Sequence, residues 1–251
     1  MHLYLKDYVT LTSLVCAVIS IVFAVEGHLQ YACLFVWLAF VFDAFDGVVA
    51  RLTKKKNAIG GHLDNTVDFI GSALAPSVCL YLGYKPLLGI YGAAALAAVP
   101  TLFGAIRHAR NYANPPRVQN LWVGLPRTYS GLAFAGLVGS NFFVYPEVQW
   151  AGIGIVIVLS FLGITAVPFQ GRHHTGLKWH QTGCLILTIL TWIFGITWAL
   201  LGYGLETFFD GLLGWMLGYV ALAWFNKIPK EERQEYSAYI KEWKKGFEES
   251  A

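Results

Sequence analysis

The sequence predicts an all-α integral membrane protein, with eight transmembrane helices enclosing a polar active-site cavity that faces the cytoplasm. Three observations lead there. The first is composition: 56% of the 251 residues are hydrophobic and 13% are charged, whereas a soluble domain carries about 25% charged residues. The second is a series of apolar stretches near the length of about 20 residues that a spanning helix needs. They fall at 8–25, 30–49, 63–82, 87–106, 129–144, 150–169, 181–201 and 206–225. The third is the placement of positive charge. With eight spans, 17 of the 18 Lys and Arg residues lie on the side of the two termini, and Lys85 alone lies opposite. Positively charged loops stay in the cytoplasm, which puts both termini there.

The first apolar run, from Tyr8, is long enough to remain a span and does not have the shape of a cleaved leader. Residues 1–228 form the membrane domain, and 229–251 form a cytoplasmic amphipathic tail. In the tail, Tyr236, Ile240, Trp243 and Phe247 recur at helical spacing. That stripe suits either a helix lying in the membrane interface or one packed on the protein's own loops. Cys16, Cys33, Cys79 and Cys184 all sit in apolar runs without ligand spacing, and read as small buried hydrophobes. A net charge of +3 is too small to argue for nucleic acid.

The aspartates carry the chemistry. Of six in the chain, four fall within the 26 residues from Asp43 to Asp68. Carboxylates at membrane depth are costly and usually functional. Asp43 and Asp46 are spaced i, i+3, and Asp64 and Asp68 i, i+4, so each pair projects from one helix face. A hairpin of the second and third spans brings the two faces together. Four facing carboxylates cannot all stay ionised unaided, and the remedies are protons, basic partners or metal. An all-oxygen set favours Mg²⁺, Mn²⁺ or Ca²⁺ over zinc. Two such ions could share the carboxylates and clamp a phosphoryl group. Between the pairs, Gly47, Ala50 and Gly60 leave room for a ligand to approach the backbone, and Arg51 offers a fork suited to phosphate.

This pattern resembles the signature of the CDP-alcohol phosphotransferase family, D-x2-D-G-x2-A-R-x8-G-x3-D-x3-D. The chain matches it at Asp43, Asp46, Gly47, Ala50, Arg51, Gly60, Asp64 and Asp68, with every spacing intact. The resemblance implies transfer of a CDP-linked phosphoalcohol group to a hydroxyl, with release of CMP. It implies a two-metal site of Mg²⁺ or Mn²⁺ on Asp43, Asp46, Asp64 and Asp68, with Asp68 also the base that takes the acceptor's proton. Thr10, Gly47, Ala50, Arg51, Asn57 and Gly60 would line the nucleotide and diphosphate site. Asp7 stands where many members carry Asn in an N-x2-T element ending at Thr10. Family members are often homodimers.

A second likeness, to the phosphatidylserine synthase branch, rests on Arg107, Ala109, Arg110, Asn111 and Tyr112, followed by Gly124, Leu125 and Pro126. It implies CDP-diacylglycerol as donor and L-serine as acceptor, with Arg107, Arg110 and Arg127 as acceptor-binding residues. Inositol, choline, glycerol phosphate or inositol phosphate as acceptor, or a CDP-choline-type donor, fits the same signature. A divalent-cation transporter is the reading from another class, since carboxylates in spans also mark ion paths. The acids cluster at one end, however, and only Glu206 and Asp210 lie toward the other. A packing subunit without activity is a third. Asp210 is expected to make a hydrogen bond between helices. The run Arg172, His173, His174, Lys178 and His180 fits no metal spacing and reads as interfacial.

Overall fold

A computed structural model describes residues 3–53, 58–113, 121–170, 193, 197, 201–202, 204–225 and 230–248. Helices dominate it, apolar but for the amphipathic last one: α1 (Leu5–Val25), α2 (Leu29–Thr53), α3 (Ala58–Phe69), α4 (Ala75–Ala113), α5 (Arg127–Gly139), α6 (Pro146–Ile164), α7 (Leu205–Phe225) and α8 (Lys230–Glu248). Among the described residues, four segments are long and apolar enough to cross a membrane: Leu5–Val25, Leu29–Ala50, Ile59–Ala113 and Pro146–Ile164, with mean hydropathies of 2.3, 2.0, 1.7 and 1.8. The chain is thus an all-α integral membrane protein. The predicted seventh span, 181–201, lies outside the described residues apart from Ile193, Thr197 and Leu201.

α1 has neither Gly nor Pro within it, and Asp7 in its first turn accepts the Tyr4 N–H at 2.8 Å. That bond satisfies one of the otherwise orphaned donors at a helix start. The α1–α2 hairpin is close-packed on small residues. Ala17, Ala24, Ala32 and Cys33 are fully buried, while the Ser13 and Ser20 hydroxyls donate to the Ala39 and Ala32 carbonyls, each at 2.8 Å. Small side chains and interhelical hydroxyl bonds replace the hydrophobic driving force that lipid removes.

The third and fourth predicted spans lie in one helical run that doubles back. Thr101 donates to the Ser77 hydroxyl at 2.9 Å, although 24 residues of straight helix would separate them by about 36 Å. The turn is at Gly89, where φ is +68° and the backbone leaves helical geometry. Only glycine enters that region readily. Between α3 and α4, Ile70–Leu74 forms a π-turn, closed by the Ala75 N–H on the Ile70 carbonyl.

Two predicted spans are corrected. The fifth, 129–144, is a helix only to Gly139, followed by a 3-10 turn at Asn141–Val144. Its 13 residues extend about 20 Å, short of a bilayer core of about 30 Å. Every residue from Gly131 to Gly139 is buried, and α5 packs against α2, α4, α6 and α7. A helix apolar all round is a central one. The sixth, 150–169, ends at Ile164, because Pro168 cannot continue a helix and Thr165 turns back on the Leu162 carbonyl at 2.8 Å. Pro168–Gln170 instead pairs antiparallel with Leu121–Val123 as a small ladder that the sequence did not suggest.

The tail helix α8 rests on this ladder. Tyr236 and Trp243 bury against Leu121 and Val123, with Tyr239 and Ile240 beside them. Tyr236 donates its hydroxyl to the Ala166 carbonyl at 2.8 Å. Burial pushes that phenol up to about 12, which keeps it a neutral donor. Of the two readings of the stripe, packing on the protein's own loops describes these contacts. The Phe247 side chain lies outside the described residues.

Candidate active site

Three helices bring the aspartates to one end of the bundle. α2 carries Asp43 and Asp46, α3 carries Asp64 and Asp68, and α1 crosses beside them with Thr10. Oxygens of Asp43, Asp46 and Asp64 lie within 4.8 Å of one another, with Asp46 buried and the other two half-buried. The Thr10 hydroxyl donates to Asp46 at 2.5 Å and so aims that carboxylate. Lys6, one turn earlier on α1, is ion-paired to Asp7 at 3.2 Å and attracts Asp46 and Asp64. Asp7 is itself wholly buried and caps α1, which is the local use of an acid at that position.

Asp68 stands apart from the other three. Its Oδ2 is 2.6 Å from Nη2 of Arg127, the first residue of α5. Nη1 of Arg127 lies 3.2 Å from the His108 Nδ1, and the His108 ring sits 6.0 Å from that of Phe69. Two backbone features permit this meeting of α3 and α5. The π-turn begins two residues after Asp68, and its Ser72 donates back to the Asp68 carbonyl at 2.5 Å. A Cβ on Gly131 would stand 2.3 Å from the Ser72 carbonyl oxygen, so any larger residue there would push α5 away from the turn. A cavity of ≈ 290 Å³, its open mouth included, lies on the inner side of the aspartates. Asp43, Asp68, Ser13, Ser72 and Thr128 contribute its polar groups.

The other expected site residues are placed as follows. Gly47 and Ala50 are on α2, one turn and two turns beyond Asp43, and Gly60 is buried at the start of α3. The Arg51 side chain and all of Asn57 lie outside the described residues. Arg107 and Arg110 serve backbone. Arg107 is 4% exposed and donates from Nη1 to the Val123 and Gly163 carbonyls at 2.7 and 2.5 Å. Arg110 donates to the Ile164 and Val123 carbonyls at 2.7 and 3.2 Å and lies 5.0 Å over the Trp243 ring. Two cations thus cap the C-terminal carbonyls of α6, where the helix dipole is negative, and hold the ladder and tail in place. Of the three arginines expected at the acceptor, Arg127 is the one hydrogen-bonded to Asp68. His108 and Lys6 drew no notice in the sequence, since a lone His or Lys near a span end carries no signal of what it will face.

Three converging carboxylates, reached by a hydroxyl and flanked by a lysine, suit a hard divalent cation. The donor set is all oxygen, and neither His nor Cys joins the cluster among the described residues. Asp68 lines the same cavity as Asp43 and lies outside the group of three converging carboxylates.

Comparison with known proteins agrees. A sequence model described as CDP-alcohol phosphatidyltransferase matches residues 3–224. The chain is 26% identical over 192 residues to a CDP-diacylglycerol–serine O-phosphatidyltransferase of Helicobacter pylori (strain J99), covering 74% of this chain and 79% of that one. It is 26% identical over 172 residues to an archaetidylserine synthase of Methanothermobacter thermautotrophicus, covering 66% and 69%. A phosphatidylcholine synthase of Pseudomonas aeruginosa is 25% identical over 165 residues, covering 64% and 65%. With the family match spanning residues 3–224, this protein belongs to the CDP-alcohol phosphatidyltransferase family.

Proposed function

We propose that the protein moves the phosphatidyl group of CDP-diacylglycerol to the hydroxyl of a small polar alcohol, L-serine, and releases CMP. The observation that carries the chemistry is the convergence of Asp43, Asp46 and Asp64 beside a cavity that Asp68 also lines. Serine is favoured by the names of the relatives from H. pylori and M. thermautotrophicus. The P. aeruginosa relative makes choline the second acceptor to test.

Asp43, Asp46 and Asp64 would hold a divalent cation, Mg²⁺ or Mn²⁺, with Asp68 shared in a two-metal arrangement. Bound there, the metal supplies positive charge to the diphosphate and to the departing CMP. Thr10 fixes the direction of Asp46. Gly47, Ala50 and Gly60 leave the two helix faces open to the nucleotide, with Arg51 and Asn57 as further contacts. Asp68 accepts the proton of the acceptor hydroxyl as its oxygen bonds to the phosphatidyl phosphorus. The bond from that phosphorus to the CMP oxygen breaks, and CMP leaves with the electron pair. Thr10 and Ser13 lie on α1 and Asp43 on α2, both of lipid-spanning length, so a donor's acyl chains would remain in the bilayer while its head group enters. By the placement of positive charge, this end faces the cytoplasm, with both termini on the same side. A homodimer is carried by family likeness.

Purified protein supplied with CDP-diacylglycerol, Mg²⁺ or Mn²⁺ and a panel of alcohols should release CMP with serine. Product with choline or inositol and none with serine would overturn the serine assignment while keeping the transfer chemistry.

A further inference from the structure

A cation flanks the four aspartates on each side. Arg127 on α5 holds Asp68 at 2.6 Å and attracts Asp43. Lys6 on α1 attracts the other two, Asp46 and Asp64, and the transfer chemistry gives it no part. We infer that Lys6 is a resident counter-cation of the acid cluster. Its ammonium offsets the charge of Asp46 and Asp64 while no metal is bound, and opposes the divalent cation that takes over that task. This rests on the metal part of the reading above.

Four observations support it. First, one turn of helix ties Lys6 to the cluster. The Thr10 hydroxyl lies 3.1 Å from the Lys6 carbonyl and donates to Asp46 at 2.5 Å. Residues four apart share a helix face, so Lys6 rises from the face of α1 that Asp46 meets. Second, the ammonium is shielded without being sealed, with the Lys6 side chain 12% exposed. Salt screens a partly buried charge much less than a surface one. Third, a wholly buried anion anchors Lys6. Its Nζ lies 3.2 Å from Oδ1 of Asp7, whose Oδ2 accepts the Tyr4 N–H at 2.8 Å. Asp7 therefore keeps a partner on the ammonium whether or not metal holds the cluster. Fourth, the residue type suits the task. Lysine presents a compact point charge on a flexible stem, whereas an arginine fork would lock a carboxylate that metal must also bind. The consequence is a linkage. A group that stabilises the metal-free cluster more than the metal-bound one weakens metal binding by the same factor, and so keeps the metal exchangeable.

The experiment compares wild type, K6M, K6R and the double variant K6M/D7N in detergent. It measures Mn²⁺ affinity by electron paramagnetic resonance of the free ion, and thermal unfolding of the chelator-treated protein. K6M should bind Mn²⁺ about 3- to 30-fold more tightly, the scale of one partly shielded charge. Without metal it should unfold at a lower temperature, and saturating Mn²⁺ should close most of the gap to wild type. A K6M protein that folds only with Mn²⁺ is the same result at its extreme. K6R keeps the charge and should stay near wild type in both measurements. The double variant keeps the net charge and a side-chain oxygen to cap α1, but has no ammonium. It should still bind Mn²⁺ more tightly than wild type. Wild-type affinity in the double variant reduces Lys6 to half of a neutral pair and overturns the inference. Unchanged Mn²⁺ affinity or unchanged metal-free unfolding in K6M overturns it as well. If KM for CDP-diacylglycerol rises in their place, Lys6 serves the donor's phosphates. A wild type that binds no Mn²⁺ removes the metal reading and this inference together, whereas a failure confined to the Lys6 variants leaves the metal reading standing.

Discussion

Acidic side chains occupy both ends of the bundle, and they are treated in opposite ways. At the end with α7's start, Asp210 accepts the backbone N–H and the side-chain amide of Asn141, both at 2.9 Å, and Glu206 accepts from the Gln30 amide. Nearby, Tyr84 donates to the Gln149 carbonyl and Gln149 to the Phe143 carbonyl, at 2.9 and 2.7 Å. Each acid there meets a neutral amide donor that satisfies it, and the result is a fastening between helices. At the other end, Asp43, Asp46 and Asp64 meet one another. Carboxylates turned toward carboxylates destabilise a fold unless something else is meant to sit among them. The lesson is that an acid in a span is identified by the partner it faces more than by its depth.

The sharpest way to break this comparison is to remove one acid from each end. Asp43→Ala should lose turnover and Mn²⁺ binding together, the latter read by electron paramagnetic resonance of the free ion. Asp68→Asn should cut kcat by about 10²- to 10⁴-fold, the range for a general base, while CMP binding by calorimetry stays close to wild type. Undiminished turnover in Asp68→Asn would assign the proton to another group. Gly131→Leu should lower turnover substantially with Mn²⁺ binding retained, because it drives α5 from the π-turn without touching the three-acid cluster. Asp210→Ala, at the other end, should keep kcat and KM and cost about 1–3 kcal/mol of stability, seen as earlier thermal unfolding in detergent. Trp243→Ala should have the smallest effect. Loss of the cation–π contact, about 0.5–2 kcal/mol, should expose α8 to protease before the bundle.

The aspartate site was legible because its information is local. Two spacings, i to i+3 and i to i+4, decide which face each acid shares, and 17 residues separate Asp46 from Asp64 in the printed chain. The reversal inside α4 was legible too, since Lys85 and Pro86 interrupt two apolar runs near Gly89. The ladder between Leu121–Val123 and Pro168–Gln170 was not, because three residues a side hold no period and the pairing is decided by distant chain. The shortness of α5 was hidden for a similar reason: 129–144 is apolar throughout whether it spans or is enclosed. The arginines show the limit most clearly. Arg107, Arg110 and Arg127 look alike in the sequence, and only tertiary structure sends two to carbonyls and one to Asp68. The cation-transporter reading gives way to family membership.

The π-turn at Ile70–Leu74 works as an indexing step. A π-turn holds one residue more than the α-helical turn it replaces, and each residue rotates a helix by about 100°. Everything from Ala75 onward is therefore set one notch round relative to Asp64 and Asp68. Deleting any single residue from this stretch would restore a regular helix and retain all of the aspartates. Yet it would swing them by more than a quarter turn against the rest of the bundle. A one-residue deletion between Asp68 and Ala75 should therefore be as damaging to turnover as the loss of an aspartate.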